Sequence, residues 1–232
     1  MSENIKKIMK AFVVDLDSRE NQNILKPSAR PFNNQAYQVN EVAKKIYKLI
    51  KGAKYPNDDI ILNHNEIKEA FFSPFEPQLK DAQVFLSHSH ANKNKALEVK
   101  DYLEEYLDAK CVFIDSLFWD YKDDVLNRLA KYDNTSKIKD AFTLILRESL
   151  QNMIEKCPYF VFLQSNNSVS NQGLSCITYS AWIYEELKIA HSIRESRLTP
   201  MMESMQVFHD ISPFLESLET ITLKELSHII NS

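Results

Sequence analysis

The sequence predicts an α/β protein built on a parallel sheet with crossover helices. Three observations carry that prediction. From Gln83 onward, short apolar runs alternate with longer segments of helical periodicity, the pattern of strands joined by crossover helices. The run Val84-Phe85-Leu86 passes straight into Ser87-His88-Ser89-His90, as a buried strand does when its carboxyl end opens onto a ligand crevice. The hydrophobic share of 44% beside 26% charged residues, in a chain of 232, is enough for a sizeable core.

Residues 1–78 are predicted to form an N-terminal extension, 79–200 the α/β domain, and 201–232 a strand and helix that complete or flank it. In the extension, Ala11 to Leu16 reads as a short buried strand, and the stretch holding Pro27 and Pro31 as irregular. Val39 to Lys51 carries Val42, Ile46, Leu49 and Ile50 on one helical face, with Gly52 as its stop. Ile60 to Leu62 is predicted as a strand, Glu66 to Phe72 as a short helix, and Pro74 and Pro77 as the boundary.

In the α/β domain, Val84 to Leu86 is the first strand. Asn92 to Leu107 is an amphipathic helix with Ala96, Val99, Leu103 and Leu107 inward. Cys111 to Ile114 is the second strand, ending at Asp115. Asp120 to Ala130 and Ile138 to Glu155 are helices, the latter presenting Phe142, Ile145, Leu150 and Ile154. Tyr159 to Leu163 is a third buried strand, followed by a polar loop from Gln164 to Ser175. A helix runs from Ser180 to about Arg194, Gln206 to Phe208 is a short strand, and Leu223 to Ile230 is the terminal helix.

Composition excludes several functions. The formal net charge of -4 gives no basic footprint for nucleic acid. No apolar run approaches the roughly 18 residues of a membrane span, and the polar, lysine-bearing start is unlike a secretory signal; a cytoplasmic protein without a membrane partner is expected. Cys111, Cys157 and Cys176 stand far apart outside any CxxC pattern, as reduced thiols do. Gly52 and Gly173 are the only glycines, against a usual share of about 7%. Loops that wrap phosphates need glycines at fixed offsets, so a Walker loop and a dinucleotide fingerprint are both ruled out. Side chains must do most of the holding of any nucleotide.

The helix from Ser180 contains the second informative segment, Ser180-Ala181-Trp182-Ile183-Tyr184-Glu185-Glu186-Leu187. On a helical wheel Ile183, Leu187 and Ala190 form one narrow stripe, the face expected on the sheet. Glu185 and Lys188 point nearly opposite, into water. Glu186 falls about 60° to one side of Ile183, on the flank of Trp182, which sets a carboxylate beside an indole at the core's margin. Packing for Trp182 and a surface position for Glu186 is the plainer alternative.

Taken together, Val84-Phe85-Leu86-Ser87-His88, Val112-Phe113-Ile114-Asp115, and Ser180, Trp182, Glu186 and Leu187 resemble the Toll/interleukin-1 receptor (TIR) domain family. The family's motifs are a strand ending in Ser-His or Ser-Tyr, a strand leading to aspartate, and a Ser-x-Trp-x-x-x-Glu-Leu helix. The resemblance covers roughly Gln83 to Arg194 and implies a flavodoxin-like parallel sheet. In catalytic members the glutamate four residues after the tryptophan is required for cleaving the nicotinamide glycosidic bond of NAD+. The resemblance therefore implies Glu186 as the catalytic residue, with Ser87, His88, Asp115, Trp119 and Trp182 as substrate-binding candidates. It implies NAD+ as substrate with no cofactor or metal, ADP-ribose or a cyclic isomer as product, and a bacterial antiphage or signalling role. Self-association through the domain and a downstream effector protein are the partners it implies. The loop Ser116-Leu117-Phe118-Trp119-Asp120, following the second strand, is expected to help complete the site, with Trp119 or Phe118 stacking on adenine or nicotinamide or else serving the core.

Two other patterns compete. Ser87-His88-Ser89-His90-Ala91-Asn92 is similar to the HxHxDH zinc motif of metallo-β-lactamase-like hydrolases, but Asn92 and Lys93 replace its Asp and His. His88 and His90 are then a polar crevice wall or a solvated turn. Val13-Val14-Asp15-Leu16-Asp17 is similar to the DxD strand end of haloacid-dehalogenase-type phosphotransferases, with Arg19 where Thr or Val belongs. Against the enzyme stands a noncatalytic TIR-type interaction module, or a domain that senses a nucleotide without turnover. A cleft shared by Glu186, Ser87 and Trp182 favours the enzyme, and a carboxylate plugged by a neighbouring side chain favours the module.

Overall fold

The computed structural model describes residues 9–27, 39–52, 63–72, 82–106, 111–114, 116–130, 136–172, 175–195 and 209–232. Its strands are β1 (Lys10–Asp15), β2 (Ala82–His88), β3 (Cys111–Ile114), β4 (Tyr159–Gln164), β5 (Ser170–Gln172), β6 (Ser175–Thr178), β7 (His209–Asp210) and β8 (Glu219–Thr220). Its helices are α1 (Arg19–Ile24), α2 (Val39–Gly52), α3 (His64–Phe72), α4 (Lys93–Tyr106), α5 (Ser116–Leu129), α6 (Ser136–Lys156), α7 (Ala181–Glu195), α8 (Ser212–Leu215) and α9 (Leu223–Asn231).

The central sheet has five parallel strands in the order β3-β2-β4-β1-β8. A flavodoxin-like sheet has the order 2-1-3-4-5, and the match is direct once β2 is counted as its first strand. The fourth place is then filled by β1, from the start of the chain, paired along its whole length with β4 from Lys10↔Tyr159 to Asp15↔Gln164. The apolar run that predicted β1 is thus a buried interior strand, with Phe12, Val13 and Val14 all nearly inaccessible. A second sheet, antiparallel, joins β5, β6 and β7.

Contacts divide the chain into two units in a way the proline boundary near residue 78 does not reveal. One unit takes 1–30, 81–115 and 151–232, and the other 31–80 and 116–150. The second unit is helical: α2 packs on α3 and α5, burying Val42, Ala43, Ile46, Ile67, Phe71, Val125 and Leu129. Phe71 meets Phe142 of α6 edge-on at 5.4 Å. Gly52 is the last helical residue of α2, one position earlier than a stop residue would stand.

Within the first unit, α4 packs on β2 and β3 and against α9, with Ala96, Val99 and Leu103 buried as predicted. Asn21 of α1 ties the two ends of the unit together. Its Nδ2 donates to the Asp15 carbonyl at 2.7 Å and its Oδ1 accepts from the Leu223 amide at 2.9 Å. Asn21→Ala leaves the buried Leu223 amide without its acceptor and the Asp15 carbonyl with only the longer bond from the Ser18 amide, and a loss of about 1–2 kcal/mol is expected by urea denaturation.

Helix α9 opens with a capping box: Glu225 N donates to Thr222 Oγ1 at 3.2 Å, and Thr222 N donates to Glu225 Oε2 at 2.8 Å. Thr222→Ala is expected to cost about 1 kcal/mol. The Thr222 backbone amide, then its hydroxyl, holds the Glu225 carboxyl below its usual range. A carboxyl whose folded pKa is depressed stabilises the fold above its unfolded value and loses that contribution as pH falls through the folded value. The stability difference between wild type and Glu225→Gln should therefore be full at pH 7 and shrink below about pH 4, as denaturation at several pH values would show.

Several sequence expectations are corrected. Ser116 to Asp120 is the first part of α5 and not a loop. The segment holds no glycine or proline to break a helix, and its Leu-Phe-Trp run continues the apolar pattern of the residues after it. The polar stretch after β4 contains β5 and β6, whose short polar strands offered no alternation to read. The Ile60–Leu62 and Gln206–Phe208 strands, Leu107, Pro74 and Pro77 lie outside the described residues. Among the described residues, no helix is long and apolar enough to cross a membrane.

Candidate functional site

Strand β2 lies between β3 and β4, so its residues are held from both sides. Phe85 is stacked between Phe113 and Phe160, with ring centroids 5.8 and 5.9 Å apart. Two residues on, the same face of β2 presents Ser87, whose neighbours across the sheet are Phe162 and, beyond it, Val13. A hydroxyl is thereby set in an otherwise apolar row, where it must find a partner.

That partner is Glu186 of α7, 99 residues away in sequence. Ser87 Oγ donates to Glu186 Oε2 at 2.5 Å, and both residues have no exposed surface. Helix α7 starts where predicted: Ser180 Oγ accepts from the Ile183 amide at 3.3 Å, so Ser180 acts as its cap. Ile183, Leu187 and Ala190 are buried, as the wheel required.

The wheel fails for Lys188, which is 8% exposed instead of solvated. Its Nζ sits 5.8 Å from the Tyr184 ring centroid. Tyr184 in turn stacks on His209 at 4.6 Å and meets Phe214, as does His191. The β7–α8 segment thus covers the face of α7 that a wheel assigns to water, which is why Lys188 is not solvated.

The structure brings Ser87 and Glu186 together and places the other candidates differently. His88 is buried beside Ser87, but strand alternation turns it to the opposite sheet face. Trp182 is half-buried in the first turn of α7. Asp115 lies outside the described residues, as does the side chain of Trp119. Trp119 belongs to α5, in the helical unit.

A polar bridge that the sequence reading did not single out joins the carboxyl ends of β2 and β4. Asn92, closing the short turn His90–Asn92, donates through Nδ2 to Ser165 Oγ. Its Oδ1 accepts from Asn167 at 3.3 Å. The chain leaves β2 toward β3 on one side and leaves β4 toward the other, so the bridge spans the switch point where open α/β sheets bind ligands. The signal was an asparagine in the turn beyond the strand, visible only as a departure from a zinc motif. Asp17, from the DxD pattern, is engaged with Lys95 at 3.4 Å and the Asn166 amide at 2.8 Å.

Among the described residues no cluster of histidine, cysteine, aspartate and glutamate is arranged to hold a metal. A groove of about 790 Å³ runs along α1, α4 and α9, lined by Lys26, Glu98, Asp101, Tyr102, Lys224 and His228 among others, and includes none of the six candidate residues. In this conformation Glu186 has no exposed surface, and its Oε2 is occupied by the Ser87 hydroxyl. Comparison with protein-family models, with characterised proteins and with solved structures finds no match to this chain.

Proposed function

We propose that the protein cleaves the nicotinamide glycosidic bond of NAD+ as a TIR-like glycohydrolase or cyclase, with Glu186 as the catalytic carboxylate. The observation that supports this reading is the 2.5 Å pairing of Ser87, at the end of β2, with Glu186 on α7. Those are the two positions that the Ser-His strand and the Trp-x-x-x-Glu helix of the TIR resemblance bring to one site. In the reaction the C1′–N bond breaks heterolytically and the electron pair leaves with neutral nicotinamide. Positive charge passes to the ribose as an oxocarbenium-like centre. Glu186 would accept hydrogen bonds from the ribose hydroxyls and oppose that charge in a water-poor setting, where such an interaction is strong. Water then adds at C1′ and loses a proton to give ADP-ribose, or an internal adenine or ribose nucleophile closes a cyclic product. A bacterial antiphage or signalling role, self-association and a downstream effector belong to the same proposal.

A second reading is favoured by a specific observation. Glu186 has no exposed surface, as suits a noncatalytic interaction module in which Ser87 and Glu186 are a structural pair. Nicotinamide release from NAD+ by concentrated protein separates the two, with Glu186→Gln as the site variant and Glu185→Gln as its control. Release abolished by Glu186→Gln alone supports the enzyme. Wild type that stays silent at high concentration and under crowding supports the module.

A further inference from the structure

We infer that the Ser87 hydroxyl is an internal stand-in for a substrate hydroxyl, holding Glu186 in a closed state that a ligand opens by exchange. The identity of the incoming group as a ribose hydroxyl rests on the function proposed above; the closed state does not.

Ser87 Oγ donates to Glu186 Oε2 at 2.5 Å, and neither residue has exposed surface. A carboxylate that is to accept hydrogen bonds from a sugar must present its oxygens to that sugar, so this conformation admits no ligand at Glu186. A serine hydroxyl and a ribose hydroxyl are the same kind of donor. Exchanging one for the other keeps Oε2 hydrogen-bonded on both sides of the step, which lowers the cost of moving a buried polar group.

The geometry also says which partner moves. Ser87 is fixed, because β2 is paired on both sides at this level of the sheet: Leu86 with Ile114 and Val161, and Ser87 with Phe162. Glu186 hangs from a helix that meets the sheet through the stripe Ile183, Leu187 and Ala190, and its side chain has three torsions to turn about. The mobile half of the latch is therefore Glu186, swinging away from a stationary serine.

The test reads accessibility of the carboxylate, not activity. Full-length wild type, Ser87→Ala and Ser87→Thr are treated with a water-soluble carbodiimide and an amine, and coupling at Glu186 is followed by peptide mass spectrometry against exposed Glu219. Wild-type Glu186 is expected to couple at least about tenfold more slowly than Glu219. Loss of the hydroxyl in Ser87→Ala should raise the Glu186 rate about tenfold, while Ser87→Thr, which keeps a donor, should stay near wild type. Native amide exchange across β4 certifies the fold of each variant. Wild-type coupling as fast as Glu219 overturns the closed state. An unchanged rate in folded Ser87→Ala overturns the latch, and should that variant not fold, a tenfold gain in Ser87→Thr does so instead. Nicotinamide release measured in parallel reports on the proposed function alone, so either result can fail without the other.

Discussion

Glu186→Gln is expected to lower nicotinamide release from NAD+ by at least about a thousandfold while the chain stays folded. Losing one hydrogen-bond donor aimed at developing charge costs about 10²–10³ in rate in other enzymes. Here a full negative charge opposite an oxocarbenium-like centre is removed, so the loss should reach or exceed the upper end. Glutamine has the same shape, and its amide oxygen can still accept from Ser87 Oγ, which now donates to Glu186 at 2.5 Å. Folding should therefore be little affected, and a thermal melt beside the assay checks this. Glu185, next in sequence but partly exposed and outside the buried row from Glu186 to Ala190, serves as the internal comparison: Glu185→Gln should keep activity within about twofold. Equal loss from both variants would place the effect in the helix and not in the carboxylate.

The largest effect on stability is expected at Phe160. It has no exposed surface and stacks on Phe85 with rings 8° from parallel, and Phe85 stacks in turn on Phe113. This row runs across β4, β2 and β3, all central to the sheet, and leaves little freedom for neighbours to collapse into a void. Phe160→Ala should cost about 3–5 kcal/mol, made up of lost transfer energy and the cavity left behind. Urea denaturation of the full chain measures it, with the 68% exposed Tyr179 as a control whose replacement by alanine should change stability by less than about 0.5 kcal/mol.

Strands β1 to β4 were legible because each is built on an apolar run, and burial on both faces leaves no other pattern for such residues; β8, two exposed polar residues, carried no such signal. Helices α2, α4, α6, α7 and α9 were legible from periodicity, which local spacing alone determines. The position of β1 in the sheet was not, since a run such as Phe12-Val13-Val14 specifies burial without naming its neighbours. The site was half legible. Motif spacing picked out Ser87 and Glu186, whereas the hydrogen bond between them joins residues 99 apart and is written in neither local stretch. Lys188 was misread because the β7–α8 segment packs on its side of α7, through Tyr184 and His191. The Asn92–Ser165 bridge joins residues 73 apart, and nothing in either local stretch points to the other.

The place of β1 also sets a timetable for the chain as it is made. Its partners along the sheet are residues 159–164 of β4 and 219–220 of β8. At about 5–20 residues per second, the interval between finishing β1 and finishing β4 is on the order of ten to thirty seconds. Through that interval Phe12, Val13 and Val14 are an aggregation-prone strand without a sheet. The sheet cannot close in the order in which it is translated: β2 and β3 can pair as they emerge, whereas β1 waits for residues 159–164 before it has a neighbour.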